Sequence, residues 1–412
     1  MRILHVNDND LPGRRFNGHD MQIELNKRGI TAHQAVMERR GADPHTMLIP
    51  GAKDPVTRSK IMRLEEELSL HAMLYPFLFH LMDLPEFKQA SIVHYHLLHN
   101  YFGSLPIFPE ITSIKPSVVT IHDPWLFTGH CIHPFSCTKW KTGCGECEHL
   151  DAVYRMKKDK TALQWQMKKN MFSKAHLDLV VSSEYMERLV QESPITSQVE
   201  NIHRIPFGID LNVFYDNGKR DEIRRKLDIP EENFVLLFRA DENPFKGFSC
   251  IRNMLDEIET AKPITLIAVG TPGPELLNKY REKYHVIDFE WITESRVLAE
   301  LYCACNLFLM PSTAEAFGMM AIEAMASSRP VLSCEGTAVP DVTFAPKCGI
   351  VIPQNDSKAM ADTVCRLIAH PEEAEARGRL GRELAEKYYS FDDYVSRHLK
   401  LYEEILSRSL RQ

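Results

Sequence analysis

The clearest chemistry in the sequence comes from two carboxylates, Glu315 and Glu323, which follow the strand-like segment Leu307 to Pro311. Gly318 lies between them, where the pattern changes from strand to helix. In helical geometry the eight-residue interval rises about 12 Å and turns roughly 80° beyond two full turns, so the carboxylates would lie apart along one side. That separation suits the two ends of a long ligand. It does not suit an acid and a base that share one small substrate.

The backbone around Gly318 supplies the middle of such a ligand site. The first amides of a helix have no partner within it and form the positive end of its dipole, which favours phosphate. A sugar nucleotide has the matching order of hexose, diphosphate and ribose. The alternative is that Glu315 caps the helix while Glu323 is an exposed helix residue.

Two basic residues, Arg239 and Lys246, follow another strand-like segment and could serve the diphosphate. A diphosphate that leaves without a metal ion needs fixed cations, and an arginine gives a forked contact while a lysine adds a point charge. Alternatively, both form salt bridges with Asp241 and Glu242 on a solvated loop.

These residues need a framework of strands and helices to position them. Short apolar runs between helical stretches predict parallel sheets with both faces covered, in which ligands bind beyond the carboxyl ends of strands. The predicted strands are 2–7, 92–96, 118–122 and 177–183 in the first half and 234–240, 264–270, 286–292, 307–311 and 330–334 in the second. We therefore expect two doubly wound α/β domains facing a cleft. The Pro/Gly-punctuated segment around Gly208 predicts domains of residues 1–208 and 209–390, with a terminal helix 391–412 that crosses back to the first.

Composition limits the function classes. The 412 residues carry a formal net charge of −7 and show no basic stripe, which argues against a nucleic-acid partner. No apolar run approaches the roughly 20 residues that cross a bilayer, and the chain opens on a strand-like segment, so we expect a cytoplasmic protein. Residues 58–84 are interpreted as a core helix broken near Pro76, or alternatively as a surface that dips into lipid at the inner face of the membrane.

The first half has its own candidate residues. His122 follows a predicted strand, and four cysteines, Cys131, Cys137, Cys144 and Cys147, lie within 17 residues. Four thiolates could close a tetrahedral structural zinc site, although only the last two have the usual tight spacing. Reduced thiols are the equal alternative, and a disulfide is disfavoured in a reducing compartment. The neighbouring histidines His94, His96 and His99 could suggest a metal site but are interpreted as strand-end packing, because no carboxylate or cysteine joins them nearby.

In order and interval, these motifs resemble retaining glycosyltransferases of family 4 with the GT-B fold. The residues that carry the resemblance are Glu315 and Glu323 with seven residues between them, and Arg239 with Lys246. The run from His122 through the four cysteines resembles a subgroup associated with bacterial exopolysaccharide assembly.

The resemblance implies roles for individual residues. Arg239 and Lys246 would bind the diphosphate, Glu323 the ribose hydroxyls and Glu315 the hexose. His122 would contact the hexose from the other side of the cleft, unless it is a buried histidine bonded to backbone. The remaining expected substrate contacts are Phe317, Gly318 and Met319 beside the glutamates and Gly18 in the amino-terminal loop.

The sequence thus predicts a retaining hexosyltransferase that moves a hexose from a nucleotide sugar, expected to be a UDP-sugar, to a saccharide or lipid-linked saccharide. No cofactor is expected to take part in catalysis, and the zinc would only staple a loop. Two alternatives are a sugar-nucleotide epimerase of the same fold and, from another class, a zinc-loop nucleic-acid-binding protein.

Overall fold

The computed structural model describes residues 1–13, 15–52, 54–270 and 274–410. The chain divides into two compact units, of which the first comprises Met1–Pro206 with Tyr394–Gln412 and the second Phe207–Asp393. The last helix, Phe391–Ser409, therefore begins in the second unit and continues in the first.

The first unit contains a parallel sheet with the strand order β3-β2-β1-β4-β5-β6-β7. Its strands are β1 Arg2–Asn9, β2 Thr31–Glu38, β3 Thr46–Leu48, β4 Ile92–Tyr95, β5 Ser117–Ile121, β6 Asp178–Val181 and β7 Ile202–Arg204. The order reverses direction between β1 and β4, so the carboxyl ends of these two strands border the crevice where such sheets bind ligands.

The second unit contains a parallel sheet with the order β10-β9-β8-β11-β12-β13. Its strands are β8 Phe234–Arg239, β9 Ile264–Val269, β10 His285–Phe289, β11 Leu307–Met310, β12 Val331–Cys334 and β13 Ile350–Ile352. Here the order reverses between β8 and β11, and Phe238 pairs with Leu309, so the loops after these two strands start side by side.

Helices connect the strands in both units, as right-handed crossovers between parallel strands require. They are α1 His19–Lys27, α2 Pro55–Leu68, α3 Phe77–Leu81, α4 Pro85–Gln89, α5 Phe108–Ile114, α6 Thr161–Phe172, α7 Glu184–Glu192, α8 Arg220–Lys226, α9 Phe248–Glu257, α10 Ser295–Ala304, α11 Met319–Ala326, α12 Val339–Val342, α13 Ser357–Ala369, α14 Pro371–Tyr388 and α15 Phe391–Ser409.

The cores explain why these segments are strands. Four consecutive residues of β8, from Val235 to Phe238, are completely buried, which only a strand covered by helices on both faces allows. Burying each large apolar side chain contributes about 1.5–3 kcal/mol relative to exposure. The nine predicted strands are present, with ends within three residues of the predicted ones. Four others, β2, β3, β7 and β13, were not predicted.

The interpretation of residues 58–84 as one helix broken near Pro76 is wrong. Helix α2 ends at Leu68, because Ser69 adopts a left-handed conformation with φ 53°, and α3 begins only at Phe77. The Glu65 carboxylate accepts hydrogen bonds from the amides of the loop that follows, and Glu65 is the buried residue of α2. After the loop, Phe77, Leu78 and Leu81 lie in the core, whereas α2 itself is largely exposed.

Candidate active site

The second unit brings one predicted pair of residues into direct contact. Lys246 follows β8, Glu315 follows β11, and the ammonium nitrogen of Lys246 lies 3.0 Å from Oε2 of Glu315. The two side chains are 23% and 20% exposed, so the ion pair lies at the surface of the sheet edge and a charged ligand can reach it. The two motifs, 69 residues apart in sequence, thus form one site.

Backbone contacts hold the Lys246 loop in place. The amide of Thr313, in the loop after β11, donates to the carbonyl of Phe245 at 3.0 Å. Gly247 has a φ of 70°, and a Cβ built on it would lie 1.9 Å from the carbonyl oxygen of Pro311. Only glycine permits both the conformation and this close approach. The position of Lys246 beside Glu315 therefore depends on the backbone as well as on charge.

Arg239 has partners in its own loop. Its guanidinium bonds the Asp241 carboxylate and lies over the ring of Trp291, with its Cζ 4.9 Å from the ring centroid. The salt bridge with Asp241 is the alternative that the sequence left open for this arginine. The structure thus brings Lys246, but not Arg239, into direct contact with Glu315.

Glu323 lies on α11 and has a different partner from Glu315. The hydroxyl of Tyr302, on α10, donates to Oε2 of Glu323 at 3.2 Å. Burial and the neighbouring carboxylate raise the pKa of Tyr302 well above its usual value, so its hydroxyl keeps its proton and remains a donor. Nothing in the sequence motif indicated Tyr302, which reaches Glu323 only through helix packing.

Gly318 is the N-cap of α11, with a φ of 101° that strains any other residue. The helix then begins with Met319, whose amide is among those without an intrahelical acceptor. The side chain of Phe317 points elsewhere, because its ring packs against Phe207 and Tyr389 with centroids 5.2 and 5.9 Å away. Near α11, Phe317 therefore offers a ligand its backbone rather than its ring.

In the first unit, His122 follows β5 and lies against other histidines. Its Nε2 lies 3.2 Å from Nδ1 of His96, whose Nε2 lies 3.2 Å from Nδ1 of His5. One ring nitrogen of His122 therefore lies against the side chain of His96. Gly18 packs onto the same group, since a Cβ on it would lie 2.8 Å from both Nδ1 of His5 and Nε2 of His96.

The four cysteines after His122 are free thiols. The amide of Gly129 donates to the sulfur of Cys144 at 3.3 Å, and burial raises the pKa of this thiol to about 11. Among the described residues, the one group of histidine, cysteine and acidic side chains whose ligand atoms converge within 4.8 Å is His5, His94 and His96. The cysteines do not form such a group, and zinc there stays a prediction.

A lysine that the sequence did not single out lies beside this loop. The ammonium of Lys168 is buried and donates to the carbonyls of Trp125 and Thr128 at 2.5 and 3.0 Å. Burial lowers its pKa to about 7. Its two carbonyl partners tie α6 to the segment that begins the cysteine loop.

The part of the second unit that contains these residues is similar to known proteins. Residues 219–384, which contain Arg239, Lys246, Glu315 and Glu323, match the family model of glycosyl transferases group 1. Over 186 residues the chain is 28% identical to D-inositol 3-phosphate glycosyltransferase 1 of Catenulispora acidiphila, a match that covers 42% of this chain and 44% of that relative. The chain thus spans less than half the length of that curated relative.

Two solved structures show the similarity of the fold over nearly the whole chain. Sucrose-phosphate synthase from Thermosynechococcus elongatus is 18% identical, with a TM-score of 0.70 and 99% of each chain covered. Anabaena HepE in complex with UDP-glucose is 16% identical, with a TM-score of 0.64, 99% of this chain and 100% of that chain covered.

No helix within the described ranges has the length and apolar character to cross a bilayer. The sheet order, the paired loops after β8 and β11 and the family match all concern the same stretch of the second unit. Residues 219–384 are therefore similar to the glycosyl transferases group 1 family, within a chain that has the GT-B fold.

Proposed function

We propose that the protein is a retaining hexosyltransferase of family 4 that takes its sugar from a UDP-linked donor. The observation that carries the proposal is the ion pair of Lys246 with Glu315, formed where the sheet order reverses between β8 and β11. A cation and a carboxylate in contact at that edge fit the junction of a ligand whose diphosphate meets its hexose.

Binding of the donor would give Lys246 and Glu315 new partners in place of each other. A diphosphate competes with Glu315 for the ammonium of Lys246, and a carboxylate released in this way can accept hydrogen bonds from hexose hydroxyls. Arg239 would exchange Asp241 for the diphosphate in the same way, since its side chain is 30% exposed. Glu323, oriented by Tyr302, would accept from the two ribose hydroxyls.

The transfer itself would be a same-face substitution. The acceptor hydroxyl oxygen bonds to the anomeric carbon while the bond from that carbon to the diphosphate oxygen breaks. The acceptor proton passes to the departing diphosphate, so the configuration is kept and no protein nucleophile is required. Lys246, Arg239 and the first amides of α11 stabilise the charge that accumulates on the leaving group.

The acceptor is proposed to be a saccharide or a lipid-linked saccharide of a polysaccharide pathway.

The exposed helix α2 supports a peripheral membrane contact, because it carries large apolar side chains that are 42–59% exposed. They are Val56, Met62, Leu64 and Leu68. Basic residues Arg58, Lys60 and Arg63 on the same helix suit anionic headgroups. Flotation with vesicles of anionic and neutral lipids would test this contact, with Met62→Ser plus Leu64→Ser as the variant expected to lose it.

A screen of nucleotide sugars by thermal shift tests the donor, since a ligand that binds the native state raises its melting temperature. We expect UDP-sugars to stabilise the protein more than GDP- or ADP-sugars. NMR of the product formed from the best donor would then show the same anomeric configuration as the donor. Inversion, or isomerised donor without transfer, would contradict the proposal, and the second result would favour the epimerase.

A further inference from the structure

A half-buried carboxylate, that of Asp8, lies at the carboxyl edge of the first sheet without a positive partner. Asp8 is the second-last residue of β1, one of the two strands between which the strand order reverses. Its Oδ1 accepts a hydrogen bond from the amide of Asn9 at 2.8 Å, and its Oδ2 accepts one from the side-chain amide of Asn100 at 3.1 Å. Both donors are neutral. Among the side chains that the structure describes, no cation pairs with Asp8.

The charge of Asp8 costs the folded protein stability. Burial raises the pKa of Asp8 above its usual value, even though the hydrogen bonds from Asn100 and Asn9 lower it. A carboxyl group whose pKa is higher in the folded than in the unfolded chain makes the folded state less stable once the pH is above both values. Such groups are typical of functional sites, where a charge serves a ligand rather than the fold.

The donor to Asp8 is held in place from behind. The hydroxyl of Tyr154 donates to the side-chain carbonyl of Asn100 at 3.1 Å, which leaves the amide nitrogen of Asn100 facing the carboxylate. The ring of Tyr154 stacks on that of His71, with centroids 4.0 Å apart, and Nε2 of His71 lies 2.7 Å from the carbonyl oxygen of His99. The network therefore connects β1 to the loop after β4 and to the segment that follows the cysteine loop.

The three side chains keep hydrogen-bonding capacity for a ligand. Asp8 has further lone pairs, Asn100 has a second N–H, and the hydroxyl oxygen of Tyr154 can still accept. All three residues are half-buried, at the edge where such sheets bind ligands. Neighbouring hydroxyls of a pyranose can donate to a carboxylate and accept from an amide at the same time. An anionic group would be repelled by Asp8, so the arrangement fits a neutral, polyhydroxylated ligand.

We propose that Asp8 binds hydroxyls of the acceptor, whose terminal sugar is an uncharged pyranose, and that Asn100 and Tyr154 are the positioning residues of this subsite. The inference rests on the proposed function and names the chemical class of its acceptor. Asp8 takes no proton in the reaction, because the acceptor proton passes to the departing diphosphate. The competing explanation is that Asp8 and Asn100 only tie β1 to the loop after β4.

Two conservative variants separate these explanations. Asp8→Asn keeps the size of the side chain and removes its charge, and the hydrogen bonds to its neighbours can re-form with donor and acceptor reversed. Its matched control is Asp83→Asn, at an aspartate of the first unit whose side chain is 72% exposed. Tyr154→Phe keeps the ring and removes only the hydroxyl that orients Asn100. Its control is Tyr215→Phe, at a tyrosine of the second unit that is 42% exposed.

Methyl glycosides serve as the probes of the subsite. Saturation-transfer NMR measures the binding of methyl β-glucopyranoside, methyl β-galactopyranoside and the charged methyl β-glucuronide to the full-length protein in the presence of UDP. Initial rates with the same glycosides as acceptors, and with the best donor from the thermal-shift screen, give KM and kcat for transfer. Calorimetry gives the UDP affinity, and a thermal melt gives the stability of each variant.

We expect the wild type to bind the neutral glycosides more tightly than the glucuronide. Asp8→Asn should raise both Kd and KM for the neutral glycosides by about 10- to 100-fold, the range for one hydrogen bond to a charged group, and should lose the preference against the glucuronide. UDP affinity should stay unchanged, and the melting temperature should equal or exceed that of the wild type. Tyr154→Phe should weaken glycoside binding by about 2- to 10-fold, the range for a neutral hydrogen bond.

Four results would overturn the proposal. They are a wild type that binds neither neutral glycoside, equal glycoside binding in Asp8→Asn and the wild type, a loss of UDP affinity in Asp8→Asn, and a melting temperature of Asp8→Asn well below that of the wild type. The binding titration requires no transfer. A wild type that binds the glycosides through Asp8 but transfers no sugar would therefore contradict only the proposed function, whereas transfer with the same KM in Asp8→Asn would contradict only this inference.

Discussion

The carboxyl edges of the two sheets carry opposite kinds of chemistry. The edge of the second sheet presents partly exposed ion pairs, Lys246 with Glu315 and Arg239 with Asp241, on loops. The edge of the first presents buried imidazoles whose ring nitrogens lie 3.2 Å apart at two successive contacts. Exposed pairs can exchange partners with a charged ligand at little cost, whereas buried rings keep one arrangement. On the proposed function, the first kind of edge would bind the diphosphate and the second would hydrogen-bond a neutral sugar.

The largest expected effect comes from Lys246→Ala. Removing one fixed donor to a leaving group typically costs about 10²- to 10³-fold in rate, and the same charge contributes to ground-state binding. We expect both kcat for transfer and UDP affinity to fall, as measured by initial rates and calorimetry. Lys279→Ala, which removes an exposed lysine paired with Asp256 elsewhere in the unit, is the control. Wild-type rates in Lys246→Ala would show that the Glu315 ion pair is merely structural.

The second-largest expected effect comes from removing His122, which tests whether the two sheet edges have separate roles. His122→Ala should lower transfer by about 10²-fold, the usual cost of removing one positioned hydrogen-bonding group, while UDP affinity stays within a factor of two to three. The reason is that the proposed nucleotide contacts are all in the second unit. Titration of UDP and initial rates on the same preparation provide the measurement. A loss of UDP binding as severe as that of Lys246→Ala would contradict the separation of roles.

A smaller effect is expected at the nucleotide end. Glu323→Ala should weaken UDP and UDP-sugar binding to the same extent, by about 10- to 100-fold, because a hydrogen bond to a charged group is worth roughly 1.5–3 kcal/mol. Tyr302→Phe, which removes only the hydroxyl that orients Glu323, should have a lesser effect in the same direction. Unchanged UDP affinity in calorimetry of Glu323→Ala would remove the ribose assignment.

The smallest effect on activity is expected from removing metal. Metal analysis of the purified protein should find about one zinc per chain if the four cysteines bind it. Treatment with a chelator should then lower the melting temperature and leave the initial rate nearly unchanged, since the predicted zinc only stabilises the conformation of a loop. Cys144→Ser should lose the zinc. Absence of zinc after growth in supplemented medium would favour reduced thiols.

The sequence was most informative where function depends on local order. Glu315, Gly318 and Glu323 lie in one strand-to-helix transition, so their spacing can be read directly as geometry. Arg239 and Lys246 could be assigned to one loop for the same reason. The sequence offered Asp241 as one possible partner of Arg239, but only packing placed Trp291 beside Arg239 and Glu315 beside Lys246.

The strands that were not predicted show the limit of local pattern. Strand β2 contains His33 and Gln34, polar residues that pattern reading assigns to loops, yet Gln34 is completely buried. Its side chain amide donates to the carbonyl of Asn17 at 2.7 Å, and its oxygen lies 3.1 Å from a ring nitrogen of His19. Strands β3, β7 and β13 are three residues each, too short for any periodicity. Tertiary hydrogen bonds and neighbouring strands, rather than propensity, make these segments strands.

The sequence by itself determined the alternation of apolar strands and amphipathic helices, and with it two parallel sheets and the charged loops at the edge of the second. Those features depend on residues that are close in sequence, and the regular backbone of a strand or helix fixes the distances between such residues. Only the tertiary structure placed Lys246 against Glu315 and Tyr302 against Glu323, and only it aligned His5, His96 and His122. Each of these contacts joins residues at least 21 positions apart in the sequence. The reason is that neighbouring parallel strands are connected by a whole crossover, so segments that lie side by side in the fold are far apart in the chain.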